Sequence, residues 1–151
     1  MTRDEPVDAA ALDRMLWALR RAEGAAQGLK ERQLRPLGMA PAHYSLLISV
    51  HTEPGLTGAE LARRLNVTPQ AVASLVARLT EKGQLERRSH PRHHHIQELH
   101  LTDTGRLALK SADAVISSIE QQVTARLGGV NTVRLTALLD EVVDAVRDME
   151  S

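Results

Sequence analysis

The chain has 151 residues, 42% hydrophobic and 25% charged, with 19 Lys+Arg balancing 19 Asp+Glu, the size and balance of one globular domain rather than of a disordered or multi-domain protein. It contains no Cys, one Trp, one Tyr and no Phe, which excludes disulfides, thiolate metal sites and thiol redox chemistry and leaves an aliphatic core. No apolar run reaches the roughly 20 residues that span a bilayer, and the acidic start MTRDEP lacks a basic and apolar secretory signal, so the sequence predicts a cytoplasmic protein without a membrane partner.

Residues 7–33 read as a helix, because Leu12, Met15, Leu16 and Leu19 recur at i, i+3, i+4 and i+7. Pro36 and Gly38 end it, and Pro41 opens a second helix over residues 41–51 with Tyr44, Leu46, Leu47, Ile48 and Val50 as its apolar positions. After the Pro54-Gly55 turn, Thr57 and Glu60 have capping-box spacing for a short helix over residues 58–65. Asn66-Val67 breaks that helix. Thr68 then serves as N-cap and Pro69 as first residue of a helix through Lys82, which Gly83 closes. Two short helices joined by a tight turn are a helix-turn-helix pattern.

Residues 84–88 and 95–101 read as the strands of a β-hairpin with its turn at 89–94. Thr102 caps a long helix reaching Leu127, with Ala108, Ala112, Val115, Ile116, Ile119 and Val123 along one stripe. Gly128-Gly129 stops it, and a last helix over residues 132–149 carries Leu135, Leu138, Leu139, Val142, Val143 and Val146 on a broad apolar face. The predicted fold class is mainly α (α+β): a winged helix-turn-helix lobe at 40–101 with a two-stranded wing, flanked by terminal dimerisation helices at 7–33 and 102–150, all in one domain over 1–151.

The neutral net charge hides an asymmetry. Residues 57–110 hold 9 Lys+Arg against 5 Asp+Glu, or +4, while the remainder holds 10 against 14, or −4. A basic centre between acidic flanks points to a polyanionic partner. Within it, the helix from Pro69 puts Val72, Leu75, Val76 and Leu79 on one face and Gln70, Ser74 and Arg78 roughly opposite. Ser and Gln can read base edges, and Arg can reach guanine or phosphate. The bland reading of the same face is a solvated polar surface, so its context decides.

That context is the segment LTGAELARRLNVTPQAVASLVARLTEKGQLERRSHPRHHHIQELHLTDTGR, which resembles the winged domain of the MarR family segment by segment, with the Glu-Lys-Gly-x-Leu-Glu-Arg-Arg turn and the Leu-Thr-x-x-Gly-Arg exit specific in combination. The resemblance implies a homodimeric transcriptional regulator, a repressor by family habit, that binds double-stranded DNA at a pseudo-palindromic operator and is released by a small, often aromatic and anionic, effector. It implies Thr68, Gln70, Ser74 and Arg78 as base or nearby phosphate contacts, and Arg87, Arg88, Arg92 and His94 as backbone or minor-groove contacts. It also implies an effector pocket near the first two helices, for which Trp17, His43 and Tyr44 are candidates, with Arg14 or Arg20 beside them. The structural alternative packs Trp17 in a dimer interface and leaves His43 on a helix surface.

The wing departs from the family pattern. Members commonly carry Asp-Pro-x-Asp-Arg-Arg where this chain has His90-Pro91-Arg92-His93-His94-His95. Neighbouring residues of a hairpin point to opposite faces, which disfavours a metal site there, and none is predicted. Phosphate-facing histidines would take up protons on binding, so the expectation is tighter DNA binding near pH 6. No Cys nucleophile, Gly-rich phosphate loop, HExxH helix or evident acid pair argues for an enzyme, and no cofactor is expected. A protein-interaction module is disfavoured by Arg78, Lys82, Arg87 and Arg88, and a single-strand or RNA binder by the lack of aromatic platforms.

Overall fold

The computed structural model describes residues 6–151, so most of the acidic opening lies outside the described residues. The chain packs as two compact units. The first, ending at Ala112, holds a 3-10 turn at Ala9–Asp13, α1 (Met15–Leu34), a 3-10 turn at Arg35–Leu37, α2 (Pro41–Thr52), α3 (Gly58–Leu65), α4 (Pro69–Glu81), β1 (Leu85–Ser89), β2 (Gln97–Leu101) and the start of α5 (Asp103–Leu127). The second, Asp113–Ser151, holds the rest of α5 and α6 (Gly129–Met149). The mainly helical fold with a two-stranded antiparallel wing is the one the sequence predicts. Among the described residues no helix is long and apolar enough to cross a membrane.

The core of the first unit is aliphatic. Leu34, Leu46, Leu47, Leu61, Leu79 and Leu85 are essentially inaccessible, joined by Val50, Val72, Val76, Leu99 and Leu101. Burying such side chains stabilises a fold by about 1.5–3 kcal/mol each. Strand pairing carries the wing onto this core. Leu85 faces Leu101 and Arg87 faces Leu99, so one side of the hairpin is apolar at its base and cationic toward its tip. Beyond β2, the Gly55 N–H donates to the Leu99 carbonyl and the Leu99 N–H to the Leu56 carbonyl, tying the loop before α3 to the wing.

Local chemistry sets the helix ends. Thr57 Oγ1 accepts the Glu60 N–H at 3.2 Å and Thr68 Oγ1 the Ala71 N–H at 3.1 Å. The Glu60 side chain stays exposed, so the cap rests on Thr57. Asn66, at φ 54, ends α3 in the left-handed region that Asn tolerates. At the end of α4 the Gly83 N–H reaches the Thr80 carbonyl and the Gln84 N–H the Leu79 carbonyl, with Gly83 at φ 71, a Schellman motif.

Three boundaries differ from expectation. Asp8 caps a separate 3-10 turn and Arg14 is extended, at ψ 148, so α1 starts at Met15 and Leu12 lies before it. Only Gly128, at φ 86, interrupts the terminal helices, and α6 begins immediately at Gly129, with the Thr132 N–H bonding the Gly128 carbonyl. β2 begins at Gln97 because the Ile96 N–H donates back to the His93 carbonyl, which spends residues 93–96 on the turn.

Candidate nucleic-acid interface

The outward face of α4 is built by its inward one. Val72, Val76 and Leu79 are buried and Leu75 half-buried, which leaves Gln70, Ser74 and Arg78 exposed on the other side. Thr68 sits exposed at the same end, where its oxygen is engaged as the N-cap and its O–H remains a possible donor. This arrangement presents hydrogen-bonding groups at four-residue steps along a helix, the format a major groove accepts.

On the wing, Arg87, Arg92 and His94 are exposed. Arg88 is engaged with Glu86, its Nε donating to Oε1 at 2.9 Å with an ion pair through Nη2. Both partners are about half exposed, and such a pair contributes less than about 1 kcal/mol, so a phosphate could displace Glu86 at small cost. The tip is closed by His90, whose Nδ1 accepts the backbone N–H of Arg92 and of His93, each at 3.1 Å. The His90 ring stacks on His93 at 5.2 Å between centroids, and His93 meets His95 edge-on at 6.0 Å. Among the described residues no group of three or more His, Cys, Asp or Glu is arranged to hold a metal.

The candidate effector residues do not come together. His43 is buried, in contrast to the surface position weighed for it, and its Nδ1 accepts the Ala40 N–H at 3.2 Å at the start of α2. Burial first, then the nearby Lys82 and Arg78 charges, lower its pKa, so it is a neutral imidazole at pH 7 with its proton on Nε2. It lines an open concavity of about 710 Å³ with Glu31, Arg35, Met39, Arg78 and Lys82, whose Nζ donates to the Gly38 carbonyl at 3.0 Å. Tyr44 is half-buried on α2 and Trp17 is 40% exposed on α1, its ring 5.8 Å from the Arg20 guanidinium carbon; neither lines that concavity. Sequence reasoning missed Arg35, Met39 and Lys82, because their meeting with His43 depends on how α1, α2 and α4 pack.

A sequence profile of the MarR family matches residues 37–94. The HTH-type transcriptional repressor Rv2887 of Mycobacterium tuberculosis is 35% identical over 94 residues, 62% of this chain and 68% of the relative. The structure of that M. tuberculosis protein in complex with salicylic acid superposes with a TM-score of 0.69 at 28% identity, over 85% of this chain and 96% of the other. The repressor CouR bound to a 23-mer DNA duplex shares the fold, with a TM-score of 0.82 at 24% identity over 93% of this chain and 99% of the other.

Proposed function

The chain belongs to the MarR family, and from that premise we propose that it is a cytoplasmic, sequence-specific double-stranded DNA-binding repressor that acts by binding alone, without catalytic chemistry. The observation that carries this reading is the exposed Gln70, Ser74, Arg78 face of α4 standing opposite a fully apolar buried stripe, with Arg87 and Arg92 free on the adjoining wing. Two copies would join through the apolar faces of α1, α5 and α6 and set their recognition helices in successive major grooves, about 34 Å apart, on a pseudo-palindromic site.

Replacing Arg78 by Ala is expected to weaken operator binding by about 1–3 kcal/mol and to relax preference at one operator position, as the loss of a guanine contact would. Fluorescence anisotropy on operator variants measures both quantities. Unchanged affinity and preference would remove α4 from the groove, whereas a uniform loss with a shallower salt slope would assign Arg78 to phosphate.

We further propose that the concavity floored by His43 takes a small organic anion, an aromatic carboxylate such as the salicylic acid bound by the mycobacterial relative. Arg35, Lys82 and the Nε2–H of neutral His43 supply donors, and Met39 an apolar wall. Arg78 lies on the same rim, so an occupied groove would compete with DNA for that guanidinium. Titrating a panel of phenolic and aromatic acids into the operator complex should release DNA, and Arg35→Ala should blunt the release. No release at any concentration short of general salt effects would leave the groove without this role.

A further inference from the structure

The wing tip departs from its family where Asp commonly stands, and the structure gives the replacement a defined task. His90 Nδ1 accepts two backbone N–H bonds, from Arg92 and His93, and the His90 N–H donates to the Ile96 carbonyl at 2.9 Å. This is the local cap that an Asp or Asn oxygen makes in a tight turn. A neutral imidazole has one bare nitrogen, so these bonds fix Nδ1 as the bare one and put the proton on Nε2. An imidazolium has none.

We propose that His90 is a positioning residue for DNA binding that shapes the wing tip only as a neutral imidazole, so that through this residue operator affinity falls as pH falls. The inference rests on the DNA-binding reading above, since the tip carries Arg92 and His94 toward the phosphates.

Protonating His90 turns its two accepted bonds into an N–H facing two N–H groups, and Arg92 and His93 must turn away. The charged and titratable residues set against the ring are its own neighbours at the tip. His93 is stacked on the ring, His95 lies beyond it, and Arg92 is held by its own backbone. The strand ends contribute Ser89 and Gln97, which do not titrate. No acidic side chain among these groups offers the proton a partner. The direction is therefore opposite to that expected of His93, His94 and His95 against phosphate, where protonation favours binding.

The two effects separate by substitution. His90→Asn keeps an acceptor at the same branch of the side chain and cannot titrate in this range. The ratio of operator affinities, His90→Asn over parent at equal ionic strength, cancels the other histidines. It should be within about twofold of unity near pH 8 and rise to about tenfold near pH 5.5, the size of two weak hydrogen bonds lost. His90→Ala, which has neither cap nor titrating group, should bind more weakly than parent near pH 8, and its ratio to parent should climb toward unity near pH 5.5 without exceeding it. An Asn-to-parent ratio that stays constant with pH overturns the proposal. Independently of DNA, the histidine ring nitrogen spectrum of the free protein should show His90 with its proton on Nε2 near pH 8, and the Arg92 and His93 amide resonances should move with its titration. A proton on Nδ1 there, or amides that ignore the titration, overturns it as well, and this arm stands even if no operator were bound.

Discussion

Changing Gly105 to Ala is expected to destabilise the winged lobe by about 3 kcal/mol or more, the upper range for overpacking a close contact. Gly105 is buried in the first turn of α5. A Cβ there would stand 2.9 Å from the Gln84 carbonyl carbon and closer still to its oxygen, a backbone group with no rotamer to escape into. Gln84 is itself fixed, its N–H on the Leu79 carbonyl at 2.9 Å and its carbonyl accepting the Thr102 N–H at 3.2 Å. Thr102 completes the joint, with its Oγ1 accepting the Gly105 N–H at 3.0 Å and donating to the Gly83 carbonyl. The end of α4, the root of the wing and the start of α5 therefore meet where only a hydrogen fits. Urea unfolding should show a lower midpoint at unchanged slope. Gly129→Ala, where an added Cβ meets nothing within 4 Å, is the matched control and should be near neutral. If the Gly105 variant unfolds at the parent midpoint, the close approach is not a constraint.

The same joint shows what the sequence could and could not carry. The helix-turn-helix was legible because its signals are local: Thr57, Thr68-Pro69 and Gly83 act within a few residues of where they stand. The outward side of α4 was legible for the same reason, since Val72, Val76 and Leu79 fix by period alone which side Gln70, Ser74 and Arg78 occupy. Gly105 stood out as a motif letter, but its reason lies in Gln84, which only the packed chain brings beside it. The burial of His43 was hidden by an α2 apolar on nearly every side, where period assigns no face. The Arg88 to Glu86 contact was available in principle, because residues two apart on a strand share a side. His90 was noted as a departure without its role, since an imidazole acceptor in place of a carboxylate is visible only once the tip is closed.

A Leu135→Glu, Leu139→Glu double variant is expected to convert the protein from dimer to monomer and to abolish tight operator binding. α6 buries no residue, and Leu135, Leu138, Leu139 and Val146 are 44%, 48%, 39% and 46% exposed along one of its sides. In the first unit Leu12, Met15 and Leu16 are likewise more than half exposed. Exposed apolar side chains in rows of this kind mark an interface, and a second copy is the occupant that the proposed two-fold operator requires. Because the two leucines are exposed within their own chain, changing them should spare folding and strike association. Each contributes about 1 kcal/mol or more when covered, and four are lost per dimer, so the dimer constant should weaken ~10³-fold before the desolvation of four carboxylates is counted. Operator affinity should then drop by on the order of 10²–10⁴, the advantage of engaging two linked half-sites. Light scattering coupled to gel filtration reads the mass, and circular dichroism reads the helix content. A variant that stays dimeric with parental operator affinity would place the interface elsewhere. One that is monomeric, still folded and still bound as tightly would show that a single winged lobe suffices, and the two-fold reading of the operator would fall with it.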